Sequence, residues 1–219
     1  MRISPGALVV LFLEDFAKEN KSIKKGVNYF KWQKKRYDAE EIAYSIVGMT
    51  LSRLVRDGYI RLELKKGLFG KKVVITRLKS IPNEYGVITR GINSMQPYKE
   101  VELHSALFLS FPVSPFPAAF LGSYIIQEEL KDANILKLRE DPEIVLEKER
   151  TKAIFETFKM QDVELWKVIK KETDKAFNLV RGKKGWVLYS PLDMLENKNK
   201  KKKGTDEMNE KHKKSKNKE

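Results

Sequence analysis

Asp38-Ala-Glu-Glu-Ile-Ala-Tyr-Ser-Ile-Val-Gly-Met-Thr-Leu-Ser-Arg-Leu-Val-Arg-Asp-Gly-Tyr-Ile60 runs on through Arg61-Leu-Glu-Leu-Lys-Lys-Gly-Leu-Phe-Gly-Lys-Lys72 to Val73-Val-Ile-Thr-Arg-Leu78. This reads as one helix, a tight turn and two strands around a basic hairpin. Asp38 and Glu41 form a variant capping box at the helix start. Ile42, Ile46, Leu51, Leu54 and Val55 recur at roughly helical spacing and predict a core-facing side. Gly48 lies mid-helix, where glycine costs up to about 1 kcal/mol relative to alanine. Either the helix breaks there into a helix-turn-helix, or something packs close against it. Asp57-Gly58 is a stop signal, because glycine suits the left-handed position after a helix. After Gly58 the period changes to two: Tyr59, Arg61, Glu63 and Lys65 share one face, and Ile60, Leu62 and Leu64 share the other. Gly67 and Gly70 punctuate the turn, and Val73 to Leu78 returns as the partner strand.

Working outward, Ser4-Pro5 predicts a helix start, with Ser as cap and Pro at the first helical position. That helix is expected to reach about Lys18. Its apolar run, Ala7 to Leu13, is far shorter than the roughly 20 residues of a membrane span. Neither a signal peptide nor a membrane partner is expected, and the placement expected is cytoplasmic. Asn28-Tyr-Phe-Lys-Trp-Gln-Lys-Lys-Arg-Tyr37 interleaves aromatics and bases. It reads as a phosphate-contacting surface using Lys34, Lys35 and Arg36, or as a short helix whose aromatics complete the core. Both readings can hold together.

Charge is unevenly spread along the 219 residues, whose net charge is +14. Residues 1–79 hold 18 bases and 8 acids, and residues 197–219 hold 10 and 4; the middle is close to neutral. Basic ends around a neutral centre point to a polyanion partner. The Lys-rich 197–219 segment has only Met208 as an apolar residue and is expected to be a disordered tail, solubilising or nucleic-acid-binding. Absence of cysteine excludes a disulfide framework, a thiol nucleophile and a thiolate metal site.

The segment from Ser45 to Ile60, with the hairpin ending at Leu78, resembles a winged helix-turn-helix domain over about residues 1–80. The stretch ahead of Asp38 is basic and aromatic where that motif carries a short helix. The resemblance implies that Tyr44, Ser45, Gly48, Met49, Ser52, Arg53 and Arg56 approach the major groove of duplex DNA. It also implies that Lys65, Lys66, Lys71 and Lys72 on the wing contact the backbone. The fold class expected is therefore α+β: a winged helix-turn-helix over 1–80, a linker or irregular arm over 81–100, a mostly helical domain over 101–196, and the tail. Within the helical part, Val101 to Phe111 reads as helix or buried strand. Phe116–Leu138 reads as one helix, Asp141 to Lys159 as a charged one, and Asp162–Val180 as one with Val163, Trp166, Ile169 and Phe177 on a single face. Trp186 to Tyr189 is strand-like. Those stripes could dimerise or pack internally.

The function expected is DNA binding by a transcriptional regulator. RNA binding, a metal-dependent nuclease, or replication initiation for a mobile element is the alternative. No cofactor, metal or catalytic set is assigned. His104 is the realistic histidine for a triad, in Glu102-Leu-His-Ser105, and the bland reading of a structural imidazole outweighs it. Carboxylate sets such as Asp141, Glu147 and Lys148, or Glu129 and Lys131, would have to converge to hold catalytic metals. A charged helix with i,i+4 pairs explains the first set more simply.

Overall fold

The structure, a computed structural model, describes residues 3–19, 29–32, 35–68 and 70–181. Ser4 caps α1 (Pro5–Leu11) by accepting from the Ala7 N–H, and every residue of that helix is buried. A single 3-10 turn, Leu13–Asp15, follows, so the helix ends earlier than its expected reach to Lys18. The basic-aromatic stretch is an antiparallel hairpin, β1 (Tyr29–Trp32) and β2 (Lys35–Asp38), and not a short helix. Tyr-Phe-Lys-Trp alternates and is rich in aromatic strand formers, which explains the preference. Phe30 and Tyr37 turn inward, while Tyr29, Lys31, Lys35 and Arg36 face out.

Asp38 then caps α2 (Ala39–Arg56), its carboxylate accepting from the Glu40 and Glu41 N–H groups. The helix is unbroken at Gly48. A Cβ there would lie 2.3 Å from the Phe155 ring and 2.9 Å from Trp166, so close packing, not a turn, is the reason for glycine. Gly58, with φ of 69°, ends the unit as expected. The strands β3 (Ile60–Gly67) and β4 (Gly70–Arg77) pair in register from Ile60↔Arg77 to Gly67↔Gly70. Beyond them lie a short helix, α3 (Thr89–Asn93), and β5 (Glu100–Glu102), which joins the free edge of β4. The three-stranded order is β3-β4-β5.

The helices α4 (Leu103–Phe108), α5 (Pro117–Glu129), α6 (Ile135–Glu140), α7 (Pro142–Gln161) and α8 (Val163–Val180) complete the described chain. The expected Phe116–Leu138 helix is two, because Asn134 caps a new one by accepting from Lys137 N–H. Asp141 and Asp162 cap α7 and α8 in the same way. Buried side chains from Ala7 to Val180 belong to one cluster, so the expected 1–80 and 101–196 portions share a core. At its centre lies α2, touching α1, α5, α7 and α8. Ile169 and Phe177 of α8 are in that core, whereas Val163 is exposed. The strand expected at Trp186 to Tyr189 and the tail lie outside the described residues.

Candidate nucleic-acid interface

Centrality removes α2 from the groove-reading role implied by the resemblance. Ser45, Gly48, Met49 and Ser52 are all buried. Ser52 Oγ donates to the Met49 carbonyl at 3.1 Å, which satisfies its hydroxyl inside the core. The Tyr44 hydroxyl donates to Asp174 Oδ1 on α8 at 2.6 Å, and burial, with that carboxylate, pushes its pKa well above the usual phenol value. Arg53 donates to Asp57 at 2.8 Å, Glu147 at 2.6 Å and Thr151 at 3.1 Å. Arg56 alone of these stands exposed. A major groove admits a helix only if one face is bare, and here α7 and α8 cover the face concerned.

The wing is neutralised rather than free. Lys65 meets both oxygens of Glu100 at 2.7 and 2.6 Å, Lys72 meets Glu102 at 2.6 Å, and Lys71 meets Glu164 at 3.2 Å. Those lysine contacts hold the Glu100 and Glu102 carboxyls below their ordinary pKa. Such exposed pairs contribute little stability, yet they cancel the charge a phosphate would seek. Among the described residues, Lys66 alone of the four makes no ion pair.

The first hairpin differs. Its register sets Lys31 directly opposite Arg36, an arrangement that destabilises a strand pair unless something else compensates. Lys31 and Lys35 are exposed and make no ion pair among the described residues, and Arg36 lies over the Tyr29 ring at 5.1 Å. Lys34 lies outside the described residues. Phe30 anchors the hairpin on Gly122 of α5, where a Cβ would come within 2.9 Å of its ring.

Beside this hairpin is a cleft of about 690 Å³ lined by Phe16, Tyr37, Tyr44, Ser45, Trp166, Lys35 and Lys170, with Phe155 at its back. Lys159 lies 4.5 Å over Phe155 and Lys170 lies 5.8 Å over Trp166. Glu14, Asp15, Glu19 and Glu41 form another wall. Aromatic faces beside cations can stack a base and hold its phosphate, and carboxylates can accept from exocyclic amines. Three of the residues singled out from sequence, Lys35, Tyr44 and Ser45, thus meet in one place. Phe16, Trp166 and Lys170 were missed as site residues, because they arrive from distant elements.

The carboxylate sets weighed for a nuclease do not converge. Asp141 caps α7, Glu147 holds Arg53, and Lys148 pairs with Asp15 and Glu149. Glu129 accepts from Ser4 and from Val87 N–H. Among the described residues one group has metal-ligand spacing: Glu102, His104 and Glu172. His104 Nδ1 sits 2.7 Å from Glu172 Oε2 and 3.5 Å from Glu102. Lys72 and Lys175 occupy the other carboxylate oxygens. The lysines already balance both negative charges, so the cluster works as a clasp between β5, α4 and α8. Ser105 makes no hydrogen bond to His104, so no triad is assembled around His104 among the described residues. No helix among the described residues is long and apolar enough to cross a membrane. No protein-family model, curated protein or solved structure matches the chain.

Proposed function

We propose that the protein binds nucleic acid, duplex DNA first, by gripping phosphates with the β1–β2 hairpin and presenting the adjoining aromatic cleft to bases. The observation that carries this reading is the cross-strand pair Lys31↔Arg36, like charges held face to face that make no ion pair among the described residues. A phosphate seated between them would relieve that repulsion. Contrast with the β3–β4 hairpin supports the choice, since three of its lysines are already paired with glutamates. A role in transcriptional regulation fits such binding, with RNA as the alternative ligand.

Fluorescence anisotropy with duplex DNA, single-stranded DNA and RNA of matched length tests it. The expected result is duplex binding that the triple change Lys31→Ala, Lys35→Ala, Arg36→Ala weakens strongly while the melting temperature stays put. Wild-type protein that ignores all three ligands at low salt would end the proposal. Preferential binding of a single strand, lost on changing Trp166→Ala, would move the grip from hairpin to cleft.

A further inference from the structure

The cleft beside the first hairpin carries acids as well as lysines, and a grip on phosphates gives those acids no role. Much of its charge is already matched: Glu14 pairs with Arg139, Asp15 with Lys148 at 2.6 Å and Lys159 with Glu156 at 2.7 Å. Lys18, Lys35, Lys170, Glu19 and Glu41 line the same space and make no ion pair among the described residues. Glu19 stands beside Tyr37 of β2, and Glu41, in the first turn of α2, accepts from the Lys18 N–H at 3.4 Å. Phe16 and Trp166 are half-buried there, so each keeps part of its ring open to the space. At about 690 Å³ the cleft falls within the roughly 300–1,000 Å³ of small-molecule sites.

A bare phosphate is drawn by the lysines and repelled by the glutamates. A nucleobase meets both, because its rim carries donors and acceptors and its faces stack on aromatic rings. In a duplex those faces are covered by neighbouring pairs, so only an unpaired base can enter. Ionised carboxylates only accept hydrogen bonds. Guanine answers that best: N1–H and the N2 amine stand side by side on its Watson–Crick edge, two donors for one carboxylate, while O6 and N7 accept from a lysine. Adenine and cytosine set an acceptor beside their amine, and thymine offers a single N–H between two carbonyls.

We propose that the cleft takes an unpaired guanine from the single strand flanking a duplex, with Glu19 or Glu41 on its donor edge and Trp166 against its ring. Such capture rests on the hairpin grip, and Lys35, common to hairpin and cleft, joins the two sites. The test is fluorescence anisotropy with a blunt duplex and with the same duplex carrying an unpaired guanosine, inosine or thymidine at either end of one strand. Inosine is guanosine without the N2 amine. At one of the two ends the guanosine overhang is expected to bind about tenfold more tightly than the blunt duplex, and at least about fivefold more tightly than the inosine or thymidine overhang. The double change Glu19→Gln, Glu41→Gln, at two exposed positions, is expected to bring the guanosine-to-inosine ratio to about one. The ratio is the readout because removing acids tightens binding to any polyanion. A blunt duplex bound as tightly as the guanosine overhang overturns the proposal and leaves the hairpin grip standing; no binding of any duplex at low salt ends both. Equal binding of guanosine and inosine overhangs, or a ratio that survives the double change, also overturns it. So does free guanosine monophosphate that displaces the overhang duplex as well as unlabelled duplex does, which would assign the cleft to a mononucleotide.

Discussion

Changing Gly48 to alanine distinguishes a helix in the core from a helix open to DNA by the sign of the stability change. In an exposed helix interior, alanine is better than glycine by about 0.5–1 kcal/mol. In this structure the new methyl would stand 2.3 Å from Phe155 Cε2, 2.7 Å from its Cζ and 2.9 Å from Trp166 Cη2. Carbon atoms prefer about 3.5–4 Å, so the phenyl ring must retreat by more than about 1 Å. It has little room: Phe155 is 3% exposed, meets Trp166 edge-on at 5.2 Å and is covered by Lys159. Overpacking a filled core costs about 1–3 kcal/mol, and a clash this short belongs in the upper half of that range, about 2–3 kcal/mol. Net of the alanine gain, Gly48→Ala should lose about 1–2 kcal/mol. For a chain of this size that lowers Tm by about 2–8 °C. Urea and thermal unfolding followed by tryptophan fluorescence, with Trp166 beside the substitution, measure both. An alanine variant as stable as the wild type, or more so, would refute the placement of α2 beneath α7 and α8.

Arg53→Met should cost about 1–3 kcal/mol, since it strands Glu147, Thr151 and one side of Asp57 at a site three-quarters buried. The folded variant should keep its affinity for DNA; reduced affinity at full stability would return Arg53 to the interface. Burial alone would raise the Asp57 pKa, but hydrogen bonds from Tyr85 and Arg53 and the arginine charges hold it below the usual carboxylate range. A depressed folded pKa means stabilisation that is present above the unfolded pKa and lost as pH falls through the folded one. Between about pH 5 and pH 3 the wild type should therefore lose more stability than Asp57→Asn; parallel acid-unfolding curves would contradict this. Glu129 has the opposite sign: burial pushes its pKa up, against the hydrogen bonds from Ser4 and the Val87 N–H and the charge of Arg90. Its stabilisation is present below the unfolded pKa and lost as pH rises through the folded one. From about pH 4 to pH 7 the wild type should lose stability that Glu129→Gln keeps, and urea midpoints across that range decide it.

Local signals were legible in the sequence, and distant ones were not. The Asp38 cap and the Gly58 stop set the bounds of α2, because both act within one turn of the helix. Period-two alternation and paired glycines placed β3 and β4 for the same reason. The polar residues of α2 misled: Ser45 and Ser52 look like a reading face, yet both are buried, and Ser52 donates to the Met49 carbonyl inside the core. Near the wing only Glu63, 3.6 Å from Lys65, hinted at its neutralisation, since the closer partner Glu100 lies 35 residues from Lys65. The alternation Tyr29-Phe-Lys-Trp32 did carry a strand signal, obscured by the density of its charges. The cleft beside it could not be assembled in advance, because Phe16, Tyr44 and Trp166 meet only when the 3-10 turn after α1 packs beside α2 and α8.

The most direct measurement is the salt dependence of duplex DNA binding for three proteins: wild type, the Lys31/Lys35/Arg36→Ala hairpin variant, and a Lys65/Lys71/Lys72→Ala wing variant. Each phosphate neutralised adds about −0.9 to the slope of log K against log salt concentration. Loss of three hairpin contacts should make the slope shallower by about 2–3, while the wing variant, whose lysines are paired with glutamates, should keep the wild-type slope. The reverse pattern, a flattened slope for the wing and an unchanged one for the hairpin, would contradict the account.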